Sequence, residues 1–146
     1  MKVDWEELVT TSHLGTVGLI RQLVDEKDYE EAREGLSELY EAIGRSERHA
    51  LNSQLRRLIV HIFKWKYQPE KRSTSWVRSI VNARQEIKEL QEYTPSLNQQ
   101  YVESVWMHNT TAAIEAAKAE MNLSRRDKFE PAELTWGEVF DDEYLL

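Results

Sequence analysis

Four histidines, His13, His49, His61 and His108, are the side chains in this sequence best suited to bind a transition metal or move a proton near neutral pH. None follows another histidine or a carboxylate by three or four residues, so the spacings that put two ligands on one helical face are missing. His61 sits inside the most apolar stretch, Leu58 to Phe63, and reads as a core histidine whose ring nitrogens find local partners. The chain has no cysteine, which excludes a disulfide framework, a thiolate zinc site, an iron-sulfur cluster and a cysteine nucleophile. No glycine-rich phosphate loop, nucleophile elbow or pair of catalytic carboxylates stands out. The expectation is a protein with no catalytic residue, no cofactor and no metal, and an enzyme is the last choice among its functions.

Cations and aromatic rings crowd a second region, Lys64, Trp65, Lys66, Tyr67, Pro69, Glu70, Lys71, Arg72, Trp76 and Arg78. Read structurally, this is a stiff corner between helices. Pro69 forces Gln68 out of the helical region and stops one helix, Trp65 and Trp76 anchor the two sides, and Lys64 and Lys66 favour the negative helix end. Lys71 and Arg72 fall in the polar connection, and replacing them with glutamine is expected to change stability by no more than ~0.5 kcal/mol each. The corner's apolar and helix-breaking residues are explained in this way, but its density of cations is not. Lys64, Lys66, Tyr67, Glu70, Lys71, Arg72 and Arg78 are therefore the candidate interaction surface, with Trp65, Pro69 and Trp76 as its structural signature.

The charge layout sharpens the question. Residues 1–44 carry four basic and eleven acidic side chains, residues 45–90 carry eleven and four, and residues 91–146 carry four and eleven, so nets of −7, +7 and −7 give the total of −7. Two readings stay open: the basic third is neutralised by acidic helices within the monomer, or it leaves a stripe for a phosphate backbone or an acidic partner. Rings interleaved with cations assist nucleic-acid binding by stacking, although cation-π packing gives the same pattern.

The elements that must position these residues are helices. The 146 residues suit one domain, 1–146, with one core. Five glycines and three prolines among abundant Glu, Leu, Ala, Arg and Lys favour long helices. A first helix opens on Asp4 and runs to about Lys27, burying Trp5, Leu8, Val9, Ile20, Leu23 and Val24, and Gly15 and Gly18 leave two readings open, a bend or break there or the close approach of another backbone. A second runs from Tyr29 to Ile43, with Tyr29, Ala32, Leu36, Leu39, Tyr40 and Ile43 inward, and stops at Gly44. The third is capped by Ser46 and buries Leu51, Leu55, Leu58, Ile62 and Trp65 at steps of four and three. Its run Leu58 to Phe63 is apolar nearly all round, which makes it the central helix. Ser75 caps the fourth, with Trp76, Ile80, Ala83, Ile87 and Leu90 inward, and Ser96 caps the fifth, with Leu97, Tyr101, Val105, Ala112, Ala116 and Ala119 inward up to a stop near Asn122. Thr135 to Glu138 reads as a capping box on a short last helix. The fold class is all-α, an up-and-down bundle of four to five helices with a short C-terminal helix.

The run from His61 to Trp76 resembles the signature of the bacterial, notably cyanobacterial, "domain of unknown function 29" family. Gly44 to Arg48 is similar to its inter-helix turn, Thr94 to Leu97 to its later break, and Phe129 to Trp136 to its C-terminal motif. The resemblance covers roughly residues 28–146, and the preceding segment with Gly15 and Gly18 departs from the family's usual start. It implies an all-α bundle and brings no reaction, ligand or catalytic residue with it. The acidic N-terminus lacks the basic-then-apolar order of a signal peptide, and no stretch approaches the ~20 apolar residues of a membrane span. A soluble, unprocessed cytoplasmic interaction protein is expected, docking an acidic protein partner or a second copy on the basic corner, with no membrane contact. Weak nucleic-acid binding through the same stripe is the alternative.

Overall fold

The computed structural model describes residues 2–146, and among them there is no β-strand. Seven α-helices follow one another: α1 (Trp5–Thr11), α2 (His13–Asp25), α3 (Tyr29–Tyr67), α4 (Thr74–Tyr93), α5 (Gln99–Ser104), α6 (Trp106–Glu120) and α7 (Trp136–Phe140). Five have seven or more residues, and a short helix lies near the C-terminus, so the all-α reading holds. The chain divides into two compact units, residues 1–48 and 49–146, and α3 contributes residues to both. Instead of one core there are two buried clusters, one on each side of that division.

In the first unit the Asp4 carboxylate accepts the Glu7 N–H and opens α1, as expected. The break then falls at Ser12, not at the glycines. Ser12 is extended (φ −159°, ψ 115°); its N–H closes α1 on the Leu8 carbonyl, and its hydroxyl accepts the Gly15 N–H to open α2. One serine thus ends a helix and caps the next, which sets the break more firmly than the weak propensity of Gly15 or Gly18. Trp5, Val9, Ile20, Leu23, Ala32, Leu39 and Ala42 form the cluster, whereas Val24, Tyr29, Leu36, Tyr40 and Ile43 are exposed. The inward face of α3 is turned towards its small residues because Trp5 lies on Gly35. A Cβ on Gly35 would come within 2.5–2.8 Å of three indole carbons. The indole N–H donates to the buried Glu31 carboxylate at 2.9 Å, and the Val3 N–H donates to the same oxygen at 3.0 Å.

Gly44 does not stop a helix, and Ser46 caps none: α3 passes through both. A glycine ends a helix by taking a left-handed conformation, and among the described residues no glycine has positive φ. Flanked by helix formers, Gly44 costs the cooperative helix only ~1 kcal/mol. The positive-φ residues are Lys27, beyond α2, and Asn122, beyond α6.

In the second unit Leu51, Leu55, Leu58, Ile62 and Trp65 are buried as their spacing requires. Ile59, Val60 and Phe63 are buried too, so α3 is enclosed nearly all round here. Gln68, at φ −132°, ends α3 before Pro69, and Pro69–Lys71 forms a single 3-10 turn. Ser73 caps α4, not Ser75: its hydroxyl accepts the Trp76 N–H. Likewise Asn98 replaces Ser96 as the cap that opens α5. Val105 (φ −107°, ψ 7°) separates α5 from α6, and this interruption shifts the inward face of α6 to Asn109, Ala113 and Ala117, with Met121 buried just beyond its end, in place of Ala112, Ala116 and Ala119. The Thr135–Glu138 capping box opens α7 and buries Val139.

Candidate functional site

The corner at the end of α3 separates into locked and free side chains. Lys64 Nζ lies 3.0 Å from the Glu120 carboxylate and 4.9 Å from the centre of the Trp76 ring. Lys66 Nζ meets the Glu138 carboxylate at 2.6 Å. That contact, followed by the Thr135 N–H, lowers the Glu138 pKa from the ordinary carboxylate value. Tyr67 packs edge-on against Phe129, and its hydroxyl oxygen accepts the Ala132 N–H at 3.1 Å. Arg72 corrects its sequence reading. Its Nε donates to the Trp65 carbonyl at 2.9 Å and its guanidinium lies 4.7 Å from the Trp65 ring centre, so it caps the end of α3 instead of merely decorating a connection. Trp65 is buried, with the Tyr144 ring edge-on 5.7 Å away, whereas Trp76 is half-buried. Glu70, Lys71 and Arg78 are exposed, and among the described residues their side chains have no hydrogen bond or ion pair. The basic third is thus neutralised in part within the second unit by acids of the C-terminal third.

Two polar constellations escaped the sequence reading. Arg84 on α4 donates to three main-chain carbonyls, Asp142 at 2.7 Å, Val139 at 2.9 Å and Glu138 at 3.3 Å, and stands over the Tyr144 ring. It gathers the carbonyl end of α7, where a cation is favoured. Burial lowers the Arg84 pKa, and burial raises that of Tyr144 to about 12. The second constellation is built on the fully buried Asn109: its oxygen accepts from Arg56 Nε at 2.7 Å, and its amide donates to Asn52 at 2.8 Å. Arg56 also reaches His108 at 3.2 Å. The signal for Asn109 is a polar residue four positions before Ala113 on the inward face of α6, legible only once the break at Val105 is known.

His61 donates from Nδ1 to the Arg57 carbonyl at 2.8 Å, the local partner that its position in an apolar run calls for. Burial lowers its pKa from 6.5. Among the described residues no group of three His, Cys, Asp or Glu side chains is placed to hold a metal ion, and no helix is long and apolar enough to cross a membrane.

A cleft of about 610 Å³ opens between α6 and the segment leading into α7, with the buried Phe63 behind its lining. Trp106 and Trp136, stacked with ring centres 5.6 Å apart, both line it. Trp136 stood out in the sequence as part of the capping box and of the C-terminal motif of the family resemblance, and Trp106 not at all.

A family model described as "Domain of unknown function DUF29" matches residues 19–145, beginning within α2, and the chain belongs to that family. No curated protein and no solved structure matches it.

Proposed function

We propose that this family member is a cytoplasmic, non-enzymatic interaction protein that docks an acidic protein partner through the corner after α3. The observation that carries the reading is the division of the corner's charges. Lys64, Lys66 and Arg72 are held by intramolecular partners, while Lys71 and Arg78 remain exposed without one among the described residues. Locked neighbours hold the backbone of the 3-10 turn and the start of α4, so the two free cations are presented on an ordered backbone and only their side chains remain to be ordered on binding. Glu70 beside Lys71 supplies the one negative charge that a partner must accommodate, which adds register to attraction.

Nucleic-acid binding by the same cations is the second reading. The rings that would stack on bases are engaged: Trp65 is buried under Arg72, and Trp76 lies against Lys64. The net charge of −7 also opposes a polyanion. The test compares wild type with Lys71→Gln/Arg78→Gln. Partner capture at defined stoichiometry should be lost in the variant while its melting temperature stays. Fluorescence anisotropy with single- and double-stranded nucleic acid forms the other arm: tight binding at physiological salt, steeply weakened by added salt, replaces the first reading with the second.

A further inference from the structure

The cleft between α6 and the chain leading into α7 has features that the packing of the second unit does not use. Its walls come from Trp106, Thr110 and Ile114 on α6 and from the segment Pro131 to Leu134 with Trp136. A volume of about 610 Å³ lies in the range of small-molecule sites. Walls of this composition favour an apolar or aromatic body.

Charge narrows the choice. The ionisable residues among those lining the cleft are Glu103 and Glu133, both exposed, and no lysine, arginine or histidine lines it. The chain from residue 91 to 146, which supplies every wall except Phe63, carries a net charge of −7. An anionic ligand would meet two carboxylates and no counter-charge. A cation would meet the same carboxylates together with indole rings that attract positive charge.

We infer that this cleft is a binding site for a small organic cation with an apolar body, of the arylalkylammonium class. The body lies against Trp106, Ile114 and Trp136, and the ammonium group is held at the rim formed by Glu103 and Glu133. The site does not depend on the corner cations.

The test uses the full chain and three probes of one shape: phenylbutylammonium, neutral phenylbutanol and anionic phenylbutyrate. Calorimetric titration should give phenylbutylammonium an affinity about tenfold or more above phenylbutyrate, with phenylbutanol between them. Indole N–H resonances of Trp106 and Trp136 should shift on binding while that of Trp5 stays. Glu103→Gln/Glu133→Gln should bring the three affinities together and keep the helical circular dichroism of wild type, since both side chains are exposed. The Glu133→Gln single variant should show an intermediate preference. The inference is overturned by equal affinities for the ammonium and the carboxylate, by no binding of any probe up to its solubility, by preference surviving in the double variant, or by shifts confined to other tryptophans.

Discussion

Neighbouring residues of one type play opposite parts in this protein, and substitutions separate them. Lys71 is free, whereas Arg72 covers the Trp65 ring and caps its carbonyl. Lys71→Gln should change stability by no more than ~0.5 kcal/mol, and Arg72→Gln should lose about 1–2 kcal/mol with the charge-assisted hydrogen bond and the ring contact. Chemical denaturation of the two single variants decides between them, and equal midpoints would return Arg72 to the surface. Two glycines diverge in the same way. A Cβ on Gly18 meets nothing within 4 Å, so Gly18→Ala should stabilise its helix by up to ~1 kcal/mol. On Gly35 the same methyl meets the Trp5 ring, and displacing a buried indole should cost about 1–3 kcal/mol. Melting curves that rank the two variants in the other order would mean that Trp5 does not rest on Gly35. His61 supplies a pH dependence. Its pKa is lowered in the folded chain because burial disfavours the imidazolium. The unfolded state therefore binds the proton more readily, and stability contributed by the neutral ring is complete above about pH 6.5 and falls as the pH drops through the lowered value. Melting temperatures of His61→Gln should fall less steeply than wild type between neutral pH and the acid limb, and parallel curves would assign the acid sensitivity to the carboxylates instead.

Among the elements, legibility followed how local each signal was. The steps of four and three from Leu51 to Trp65 and from Ile80 to Ile87 needed only helical periodicity, and those faces are buried as read. Pro69, the Asp4 cap and the Thr135–Glu138 box also act within one turn of chain, and each is found in place. Ser12 and Gly44 show where local rules compete: both a glycine and a serine can end a helix, and which prevails depends on conformation at that position. Asn109 and the Trp106–Trp136 cleft depend on distant partners, so periodicity alone could not find them. The corner itself was legible as scaffold but not in its division of cations, because Glu120 and Glu138 lie more than fifty residues away in the chain. The scaffold roles of its two tryptophans should now differ. Trp65 is 6% exposed, so Trp65→Ala should cost about 3–5 kcal/mol. Trp76, half-buried beneath Lys64, should cost clearly less. Equal destabilisation in urea titrations of the two alanine variants would place Trp76 in the core as well.

At the scale of the whole chain, the two buried clusters are of unequal size. Among the described residues, seven hydrophobic side chains make the cluster of the first unit and seventeen that of the second. The first unit also leaves Leu14, Val17, Val24, Tyr29, Leu36, Tyr40 and Ile43 exposed. A helical segment of 48 residues with so small a core stands near the limit at which burial offsets chain entropy, whereas the second unit encloses part of α3 on most sides. Local openings should therefore be more frequent in the first unit, since opening free energies track buried apolar contact. Native-state hydrogen exchange on the full chain measures this directly. Amides of α1 and α2 should exchange at least about tenfold faster, after correction for intrinsic rates, than those of α4 and α6, a gap of ~1.4 kcal/mol in opening free energy. Adding denaturant should leave the slowest amides of α4 and α6 on the global unfolding isotherm, while those of α1 and α2 follow a shallower, local one. If the slowest amides of all four helices instead merge on a single isotherm with equal protection, the two clusters open together, and the chain behaves as the one cooperative domain that its length suggests.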